Sequence, residues 1–323
     1  MDNQYKPLVS IIIITYNSAE TVVETLDSAL SQTYTNIEII ISDDCSSDDT
    51  LEVCRRWIRE HDDSNKRIKL VETKKNTGVA GNCNRGLRVA QGQWIKTIAG
   101  DDILTPTSVE TYMSYVTEYP CTRHLIADLT RFTGSFNERR FIEARQKSFF
   151  VYRKDATASW QYSIAQKMFI GSGPTYFIHT DTLREIGGYD ERFPMQEDYP
   201  LFIKMLRMGY KMEYINQPTV YYRVSATSLS HNKDINAIFT SNHVRVVKDY
   251  KYLYRLETLN LFWRILHYYS LRLQELIIRF GNSKRNPICL FFKLVYSITD
   301  PFIWFARYIK YREFLYDKKH GAC

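Results

Sequence analysis

Residues 8–15, LVSIIIIT, and residues 37–42, IEIIIS, decide the fold. Both are nearly continuous apolar runs rich in β-branched residues, the pattern of a strand buried on both faces of a parallel sheet. Between them, apolar residues recur at helical spacing from Val22 to Leu30, and Asn17 is suited to cap the start of that helix. The order of strand, helix and strand predicts a βαβ unit at the start of the chain.

The same alternation continues as far as residue 99. Ser46 or Ser47 is suited to cap a second helix. A third strand is predicted over residues 68–72, a third helix over 79–90 and a fourth strand over 94–99. Strands that alternate with helices in this way are typical of an α/β fold with a mostly parallel sheet flanked by helices.

Charge is distributed unevenly along the 323 residues, whose formal net charge is +7. Residues 1–232 hold 27 Lys and Arg against 29 Asp and Glu, whereas residues 233–323 hold 16 against 7. We therefore predict a catalytic or binding domain over 1–232, divided near residue 105, and a basic helical region over 233–323. The six cysteines include no CxxC pair, and no secretory signal precedes the first strand, so we expect a reducing, cytoplasmic setting and no zinc site.

Polar residues follow three of the predicted strands. They are Thr15, Tyr16 and Asn17 after the first strand, Asp43 and Asp44 after the second, and Asp101 and Asp102 after the fourth. In open α/β sheets ligands bind beyond the carboxyl ends of the strands, where the strand order reverses. Two Asp-Asp pairs at one edge of a sheet favour a ligand that needs anionic oxygen, such as a divalent cation or several sugar hydroxyls.

The usual phosphate-binding loops are absent from the sequence. No GxGxxG follows the first strand, and no GxxxxGK[ST] occurs anywhere. A phosphate group at this sheet edge would therefore need a metal ion.

Five segments resemble family 2 glycosyltransferases in order and spacing. They are PLVSIIIITYN from residue 7, IEIIISDDCSSDDT from 37, NTGVAGNCNRGLRVAQGQWI from 76 with the following AGDD, GGYDERF from 187 and QEDYPLFIKM from 196. The resemblance covers about residues 6–225. It implies an inverting enzyme with a GT-A fold that transfers a sugar from a nucleotide-sugar donor, commonly UDP-linked, to a hydroxyl acceptor, with Mg2+ or Mn2+ at a DXD-type motif.

The resemblance also implies roles for residues of the first half. Donor-binding candidates are Thr15, Tyr16, Asn17, Glu20, Asp43, Asp44, Asn84, Arg85 and Asp101. Asp43 would read the uracil edge, and Asp102 would bind the metal. Simple helix capping is the alternative for Thr15 and Asn17.

This chain departs from the family pattern at two donor-side positions. Ala99 stands where relatives often have a further Asp, and Cys83 stands where many have an Arg. The first change removes one anionic group from the metal site, and the second removes a donor-phosphate contact for which Lys74, Lys75 or Arg85 would substitute. A solvated basic loop is the alternative for the two lysines.

The second half is expected to bind the acceptor. Gly173 lies in a segment, SGPT, that resembles the acceptor side of the family, although a plain turn is the alternative. Glu197 and Asp198 open a helical pattern, which also suits a helix dipole. The resemblance implies that Asp198 is the general base and that Glu197 orients the acceptor. The Tyr-Arg-x-His motif of relatives is here Tyr-Arg-Val-Ser from residue 222, so His231 is a weak candidate for a metal ligand.

The basic region after residue 232 is rich in aromatic residues, which suits either nucleic acid or an anionic membrane. Helices are predicted over 236–280 and 287–311, but charges and Pro301 interrupt the second stretch, which makes it a poor spanning segment. We expect an interfacial helix pair, peripheral at the inner face of a bacterial-type membrane, with a saccharide or lipid-linked saccharide as acceptor and no nucleic acid. The alternative is that these helices pack on the catalytic domain or on a second copy of the chain in a homodimer.

Two other classes of function stay open from the sequence. One is a nucleotidyltransferase-like enzyme of nucleotide sugars on a similar sheet, which would release diphosphate from a nucleoside triphosphate. The other is a non-catalytic protein that binds sugar nucleotides or nucleic acid. The presence of Asp102, Glu197 and Asp198 together favours catalysis.

Overall fold

The computed structural model describes residues 6–61, 67–135, 140–145, 149–224, 261–280 and 286–320. These residues divide into two compact units. Unit 1 comprises residues 1–147 and 171–225, and unit 2 comprises residues 148–170 and 226–323. Residues 148–170 belong to the second unit, although the sequence analysis assigns them to the acceptor half of the first domain.

Unit 1 begins with the predicted alternation of strands and helices. Its first elements are β1 (Val9–Thr15), α1 (Val22–Leu30), β2 (Ile37–Asp43), α2 (Thr50–Glu60), β3 (Arg67–Glu72), α3 (Gly78–Val89) and β4 (Trp94–Ala99). All four strands are parallel to their neighbours in the order β3-β2-β1-β4. The isoleucines in the middle of β1 and β2 are completely buried, as the continuous apolar runs predict.

The remainder of unit 1 extends the same sheet. Its elements are β5 (Ile103–Leu104), α4 (Ser108–Glu118), β6 (His124–Thr133), β7 (Arg140–Arg145), a 3-10 helix (Gly173–Thr175), β8 (Phe177–His179), α7 (Thr180–Glu185), α8 (Asp198–Arg207) and β9 (Glu213–Arg223). The sheet continues from β4 through β8, β6 and β9 to β5, and β7 pairs with β6. Because β8 is antiparallel to both β4 and β6, the described sheet is mixed beyond β4.

Two predicted helix caps are wrong. Helix α1 begins at Val22, and Asn17 lies five residues earlier with a left-handed φ of 51°. Its side-chain oxygen accepts a hydrogen bond from the Ser47 backbone amide, so it links two loops and does not cap α1. Helix α2 begins at Thr50, preceded by Asp49, because the Ser46 hydroxyl is hydrogen-bonded to Asp43.

Unit 2 is helical in the residues described. It contains α5 (Phe149–Tyr152), α6 (Ala158–Ala165), α9 (Leu261–Arg279), α10 (Pro287–Thr299) and α11 (Pro301–His320). The predicted helix over 236–260 lies outside the described residues. Within the described ranges no single helix has the length and hydropathy of a membrane span, whereas Pro287–Thr299 and Pro301–Tyr316 together meet that criterion with a bend of 47° between them.

Candidate active site

The carboxyl ends of β1, β2 and β4 meet at the point where the strand order changes direction. Strand β1 lies between β2 and β4, with Thr15 opposite Asp43 and Ile14 opposite Ala99. The turns after these strands are bonded to β1, since Asp44 donates its backbone N–H to the Thr15 carbonyl and Gly100 donates to that of Ile14. The predicted polar residues of all three strand ends are therefore brought together at the edge where α/β sheets bind ligands.

Asp43 is completely buried, and protein groups surround its carboxylate. It accepts hydrogen bonds from the Thr15 hydroxyl at 2.9 Å and from the hydroxyl and backbone N–H of Ser46 at 2.6 and 2.9 Å. Asp43 thus connects the end of β1 to the loop before α2. These bonds orient the loop that would face a nucleoside.

Asp44 anchors the start of α3. Its carboxylate accepts hydrogen bonds from the backbone N–H groups of Thr77 and Gly78 and forms a 3.0 Å ion pair with Arg85. The Arg85 guanidinium also donates to the Asp43 carbonyl and to the side chains of Asn82 and Thr77. In this structure, therefore, Arg85 bonds the end of β2 to α3, which is the role of a positioning group.

The turn after β1 presents the most open surface of the site. Tyr16 is 51% exposed, and Glu20 is also exposed. Asn17 is held from both sides, because its backbone N–H donates to the Ser46 hydroxyl while its side chain accepts from Ser47. The Tyr16 ring is thus available to a ligand next to a rigid turn.

Asn84 lies on α3, and its amide is bonded to the segment before α8. Its Nδ2 donates to the Tyr189 carbonyl and to Glu191, both at 2.8 Å, and its Oδ1 accepts from the Tyr189 backbone N–H. A Cβ atom on Gly188 would lie only 2.6 Å from Asn84 Oδ1, so this glycine permits the close approach. Asn84 therefore joins two parts of unit 1.

Asp101 and Asp102 form a second acidic pair just after β4. Burial raises the pKa of both carboxyl groups, and for Asp102 the neighbouring Asp101 raises it further. Asp102 Oδ1 accepts a 2.9 Å hydrogen bond from the Arg223 backbone N–H. Its backbone carbonyl accepts from Thr25, so the pair is bonded both to β9 and to α1.

Arg223, at the end of β9, organises the turn that carries this pair. Its Nε donates to the Asp101 carbonyl at 2.8 Å, and its Nη atoms bond to the Gly134 carbonyl and to the carboxylate of Glu24. The guanidinium also lies 4.7 Å from the centre of the Phe132 ring. In the sequence Arg223 is only one residue of the Tyr-Arg-Val-Ser motif, because its contact with Glu24 joins residues 199 positions apart.

Lys96 is a buried cation that sequence analysis missed. It lies on β4, and its Nζ donates to the Pro174 carbonyl at 2.6 Å and to the Thr97 carbonyl at 2.9 Å. Burial lowers the pKa of Lys96 to about 7, and the charge of Asp102 opposes that decrease. Lys96 thereby connects the strand that ends in the acidic pair with the 3-10 helix at Gly173–Thr175. A lysine within an apolar strand pattern is the available sequence signal for such a residue.

Glu197 and Asp198 open α8 as predicted and lie beside Gly173. A methyl group on Gly173 would lie 3.1 Å from Asp198 Oδ2 and 3.7 Å from Glu197 Oε1. Burial, together with the charge of the adjacent Asp198, raises the pKa of Glu197 to about 8. The raised pKa favours the protonated form of Glu197, which is able to donate a hydrogen bond.

A buried hydrogen-bonded group lies beneath this pair. The hydroxyls of Tyr176 and Tyr189 are 3.0 Å apart, and Tyr189 also contacts the Thr97 hydroxyl. Burial raises the pKa of the Cys83 thiol, and the charge of Glu197 raises it further. Cys83 is completely buried, so it does not replace the arginine of relatives on the surface of the site.

The residues present fit a divalent cation that is bound partly by the protein and partly by the phosphates of a bound substrate. Within the described ranges, no cluster of three or more His, Cys, Asp or Glu could by itself hold a metal ion, and His231 lies outside those ranges. Asp101 and Asp102 nevertheless provide two adjacent carboxyl groups whose raised pKa values a cation would relieve. Mg2+ is commonly bound by one or two carboxylates together with substrate phosphates.

Two solved structures share the fold of this chain. S. aureus TarS 1-349 in complex with UDP-GlcNAc aligns with a TM-score of 0.56 and 15% identity over 90% of this chain and 91% of TarS. The mannosyltransferase PcManGT from Pyrobaculum calidifontis, in complex with GDP-Man and Mn2+, aligns with a TM-score of 0.56 and 18% identity over 96% of this chain and 86% of that one. The fold is therefore GT-A.

The sequence comparisons identify the family. The glycosyl transferase family 2 model matches residues 10–172, and the glycosyl transferase family group 2 model matches residues 94–306. The E. coli UDP-Glc:alpha-D-GlcNAc-diphosphoundecaprenol beta-1,3-glucosyltransferase WfaP is 33% identical over 250 residues, which are 74% of this chain and 86% of WfaP. The chain belongs to glycosyl transferase family 2. Of the three classes left open by the sequence, it is thus a glycosyltransferase.

Proposed function

We propose that the protein transfers one sugar from a UDP-sugar to a hydroxyl of a saccharide carried on a lipid diphosphate, with inversion at the anomeric carbon. One observation carries the proposal: Lys96 bonds β4, which Asp101 and Asp102 follow, to the segment in which Gly173 lies beside Asp198. A donor-side acidic pair and an acceptor-side acidic pair are thus parts of one bonded framework. The similarity to WfaP, whose name describes a UDP-glucose donor and a diphosphoundecaprenol-linked acceptor, supports the choice of substrates.

On the donor side, the turn at Thr15–Asn17 binds the nucleoside. The exposed ring of Tyr16 offers a surface for the base, and Asp43 orients the loop through Ser46. Asp101 faces the ribose. Asp44 and Arg85 maintain the start of α3 at the edge of the site, while Glu20 and Asn84 border it.

A divalent cation, Mg2+ or Mn2+, would be held by Asp102 and the donor diphosphate, and its positive charge would stabilise the departing nucleoside diphosphate. Asp102 is buried next to Asp101, so a bound cation would offset the cost of placing negative charge there. Arg223 prevents the turn from moving, because it bonds to the Asp101 carbonyl and donates its backbone N–H to Asp102.

On the acceptor side, Asp198 removes the proton from the attacking hydroxyl in a single displacement. Gly173 leaves room for that hydroxyl beside Asp198, because any larger residue would place a carbon 3.1 Å from the carboxylate oxygen. Glu197, whose pKa is raised to about 8, donates a hydrogen bond that orients the acceptor.

We further propose that unit 2 lies peripherally on the inner face of the cytoplasmic membrane. Helix α10 exposes Leu290, Phe291 and Leu294, each by more than half, and residues 233–323 carry an excess of basic residues. Exposed apolar side chains combined with positive charge are the features of an interfacial helix. This location suits an acceptor anchored in a lipid bilayer, as in the assembly of a surface polysaccharide.

The donor assignment is tested by titrating purified full-length protein with UDP in the presence of Mn2+, Mg2+ or a chelator. Asp102→Asn is expected to weaken cation-dependent UDP binding at least tenfold, because it removes a charged ligand. Asp181→Asn, on the surface at the start of α7, is the matched control and is expected to bind UDP as the wild type does. An affinity for UDP that is the same with and without the cation, and the same in Asp102→Asn as in the wild type, would overturn this metal assignment.

The acceptor assignment is tested by release of UDP from a panel of UDP-sugars with a GlcNAc-diphospholipid as acceptor. Asp198→Asn is expected to retain UDP affinity but to lose at least a thousandfold in kcat, because no carboxylate then accepts the proton. A kcat within tenfold of wild type in Asp198→Asn would remove Asp198 from the role of base.

A further inference from the structure

Unit 2 contains a pocket that the proposed transfer does not use. It has a volume of about 640 Å3 and lies between the segment that contains α5 and α6 and the helix α11. Aromatic rings form much of its wall, among them Phe150, Trp160 and Phe305. A pocket of this size is in the range that binds small molecules.

Three cations share this wall with one carboxylate. They are Arg153, Lys167 and Arg312, and the carboxylate is Asp155. Arg153 Nε lies 2.9 Å from Asp155 Oδ1, but the Asp155 side chain is 76% exposed. Within the described ranges neither Lys167 nor Arg312 has an acidic side chain at ion-pair distance. The pocket therefore carries a net positive charge.

Lys167 and Arg312 contact aromatic rings, and Arg312 also contacts a hydroxyl group. Lys167 Nζ lies 4.8 Å from the centre of the Phe305 ring, and the Arg312 guanidinium lies 5.4 Å from that of Phe150. Arg312 Nη1 also donates to the Tyr308 hydroxyl at 2.8 Å. Burial lowers the pKa of Lys167, because its ammonium group has lost part of its hydration. An anionic ligand would replace that hydration.

The exposed side chains of α11, which forms one wall of the pocket, and of the preceding helix α10 indicate what kind of anion would bind. On α11 the side chains of Trp304, Tyr308, Tyr311 and Leu315 recur at helical spacing and are exposed. Helix α10 adds the exposed aliphatic residues Leu290 and Leu294. Aliphatic surface offers nothing to a nucleic acid base, but it contacts a hydrocarbon chain favourably. The ligand is thus expected to combine an anionic group with a hydrocarbon chain.

We propose that this pocket binds the phosphate group of an anionic lipid. Lys167 and Arg312 bind the phosphate oxygens, the aromatic wall contacts the first carbons of the chain, and the exposed face of α10 and α11 lies along the rest. This inference deepens the proposed function, on which it rests for the presence of a lipid-linked substrate. The phosphate belongs either to a membrane phospholipid or to a polyprenyl carrier, and these two sources are separated by experiment.

The test is calorimetric titration of full-length protein with four water-soluble probes. Farnesyl phosphate joins an isoprenoid chain to a phosphate, and lysophosphatidic acid below its critical micelle concentration joins an acyl chain to one. Farnesol has the isoprenoid chain but no phosphate, and inorganic phosphate has no chain. Binding of one or both lipid phosphates, with at least tenfold weaker binding of farnesol and inorganic phosphate, supports the proposal. Preference for farnesyl phosphate indicates a polyprenyl carrier, and equal affinity indicates lipid phosphates in general.

Two double variants with the same loss of charge locate the binding. Lys167→Gln/Arg312→Gln is expected to weaken farnesyl phosphate binding at least tenfold, because about one factor of five is lost with each cation near a lipid phosphate. Arg307→Gln/Lys310→Gln changes exposed residues of α11 outside the pocket wall and is expected to change the affinity less than twofold. Arg312→Lys retains the charge and is expected to keep most of the affinity.

Several results would overturn the proposal. They are equal affinity for farnesol, equal losses in the two double variants, displacement of farnesyl phosphate by a single-stranded oligonucleotide, and binding of no lipid phosphate at all. UDP binding is measured on the same preparations and is expected to stay at the wild-type value in both double variants. A wild-type protein that binds farnesyl phosphate but no nucleotide would refute the proposed transfer and leave the pocket assignment standing.

Discussion

The ammonium group of Lys96 donates a hydrogen bond to the carbonyl oxygen of Pro174, 2.6 Å away, across 78 positions of the chain. Lys96 lies on β4, the strand just before Asp101 and Asp102, and Pro174 follows Gly173, which lies beside Asp198. One buried side chain therefore relates the two acidic pairs of the site. Burial of a lysine side chain is costly, and within an apolar strand the two hydrogen bonds of Lys96 indicate a positioning role.

Lys96→Met tests this role. We expect kcat to fall about tenfold with little change in UDP affinity, because the loop at Gly173 loses its bond to the sheet and Asp198 loses its alignment. Thermal stability is expected to stay the same or rise, since an apolar side chain of similar length replaces a buried cation. Lys204→Met is the control, because it removes a 3.4 Å hydrogen bond from Lys204, on α8, to the backbone carbonyl of Ile186. An unchanged kcat in Lys96→Met would contradict the role.

Gly173→Ala tests the space beside Asp198. The added methyl group would lie 3.1 Å from Asp198 Oδ2, so the carboxylate must move or the acceptor hydroxyl loses its place. We expect kcat to fall about tenfold, which corresponds to ~1.4 kcal/mol of transition-state stabilisation, and the Kd for UDP to stay constant. Steady-state kinetics and UDP titration measure both quantities. A rise in the Kd for UDP with an unaffected kcat would place Gly173 on the donor side.

Glu197 predicts a pH dependence of stability. Its pKa rises from 4.5 in the unfolded chain to about 8 in the folded protein, so the folded state binds the proton more tightly. The stability that this proton contributes is fully present below pH 4.5 and is lost as the pH rises to about 8. Glu197→Gln cannot ionise. We therefore expect the difference between the melting temperatures, variant minus wild type, to increase from pH 5 to pH 8. Above pH 8 this difference is expected to become constant.

Thermal melts of both proteins at half-unit steps between pH 5 and pH 9 measure this difference. Glu185→Gln removes an exposed carboxyl on α7 and serves as the control, with a constant difference from wild type expected. Parallel curves for Glu197→Gln and wild type would mean that Glu197 is ionised throughout.

Asn84→Ala separates a structural from a ligand-binding role. Because both groups of the amide are bonded to Tyr189 and Glu191, we expect a loss of about 2 kcal/mol in the free energy of unfolding. The affinity for UDP is expected to change less than twofold. Urea denaturation and UDP titration provide the two measurements. A large loss of UDP affinity without destabilisation would support the donor contact that the family resemblance implies.

Arg223→Gln tests the turn that carries Asp101 and Asp102. The variant loses the contacts of the guanidinium with Glu24 and with the Asp101 carbonyl, and we expect a destabilisation of about 2–3 kcal/mol. Cation-dependent UDP binding is expected to weaken as well, because the turn is no longer held. Urea denaturation and UDP titration in Mn2+ check both effects, and Arg192→Gln, at an exposed arginine paired with Asp190, is the control.

The sequence by itself determined the first, parallel part of the sheet and the position of the acidic residues at its edge. Apolar periodicity is a local property, so β1, β2 and β4 were predicted within two residues, and the polar residues after them had to meet at one edge. The opening of α8 by Glu197 and Asp198 was predicted for the same reason. The helix caps at Asn17 and Ser46 were predicted wrongly, because those side chains bond to neighbouring loops that local pattern does not reveal.

Tertiary structure decided which polar groups are bonded within the protein and which face open space. Arg85 of α3 bonds to the Asp43 backbone carbonyl and to the Asp44 carboxylate, whereas Tyr16 remains exposed. The tertiary structure also brought Lys96 to Pro174, and within unit 2 it placed Lys167 and Arg312 on the wall of one pocket. These relationships join residues that are 40 to 150 positions apart. No periodic pattern encodes such distances, because they arise from the packing of complete elements.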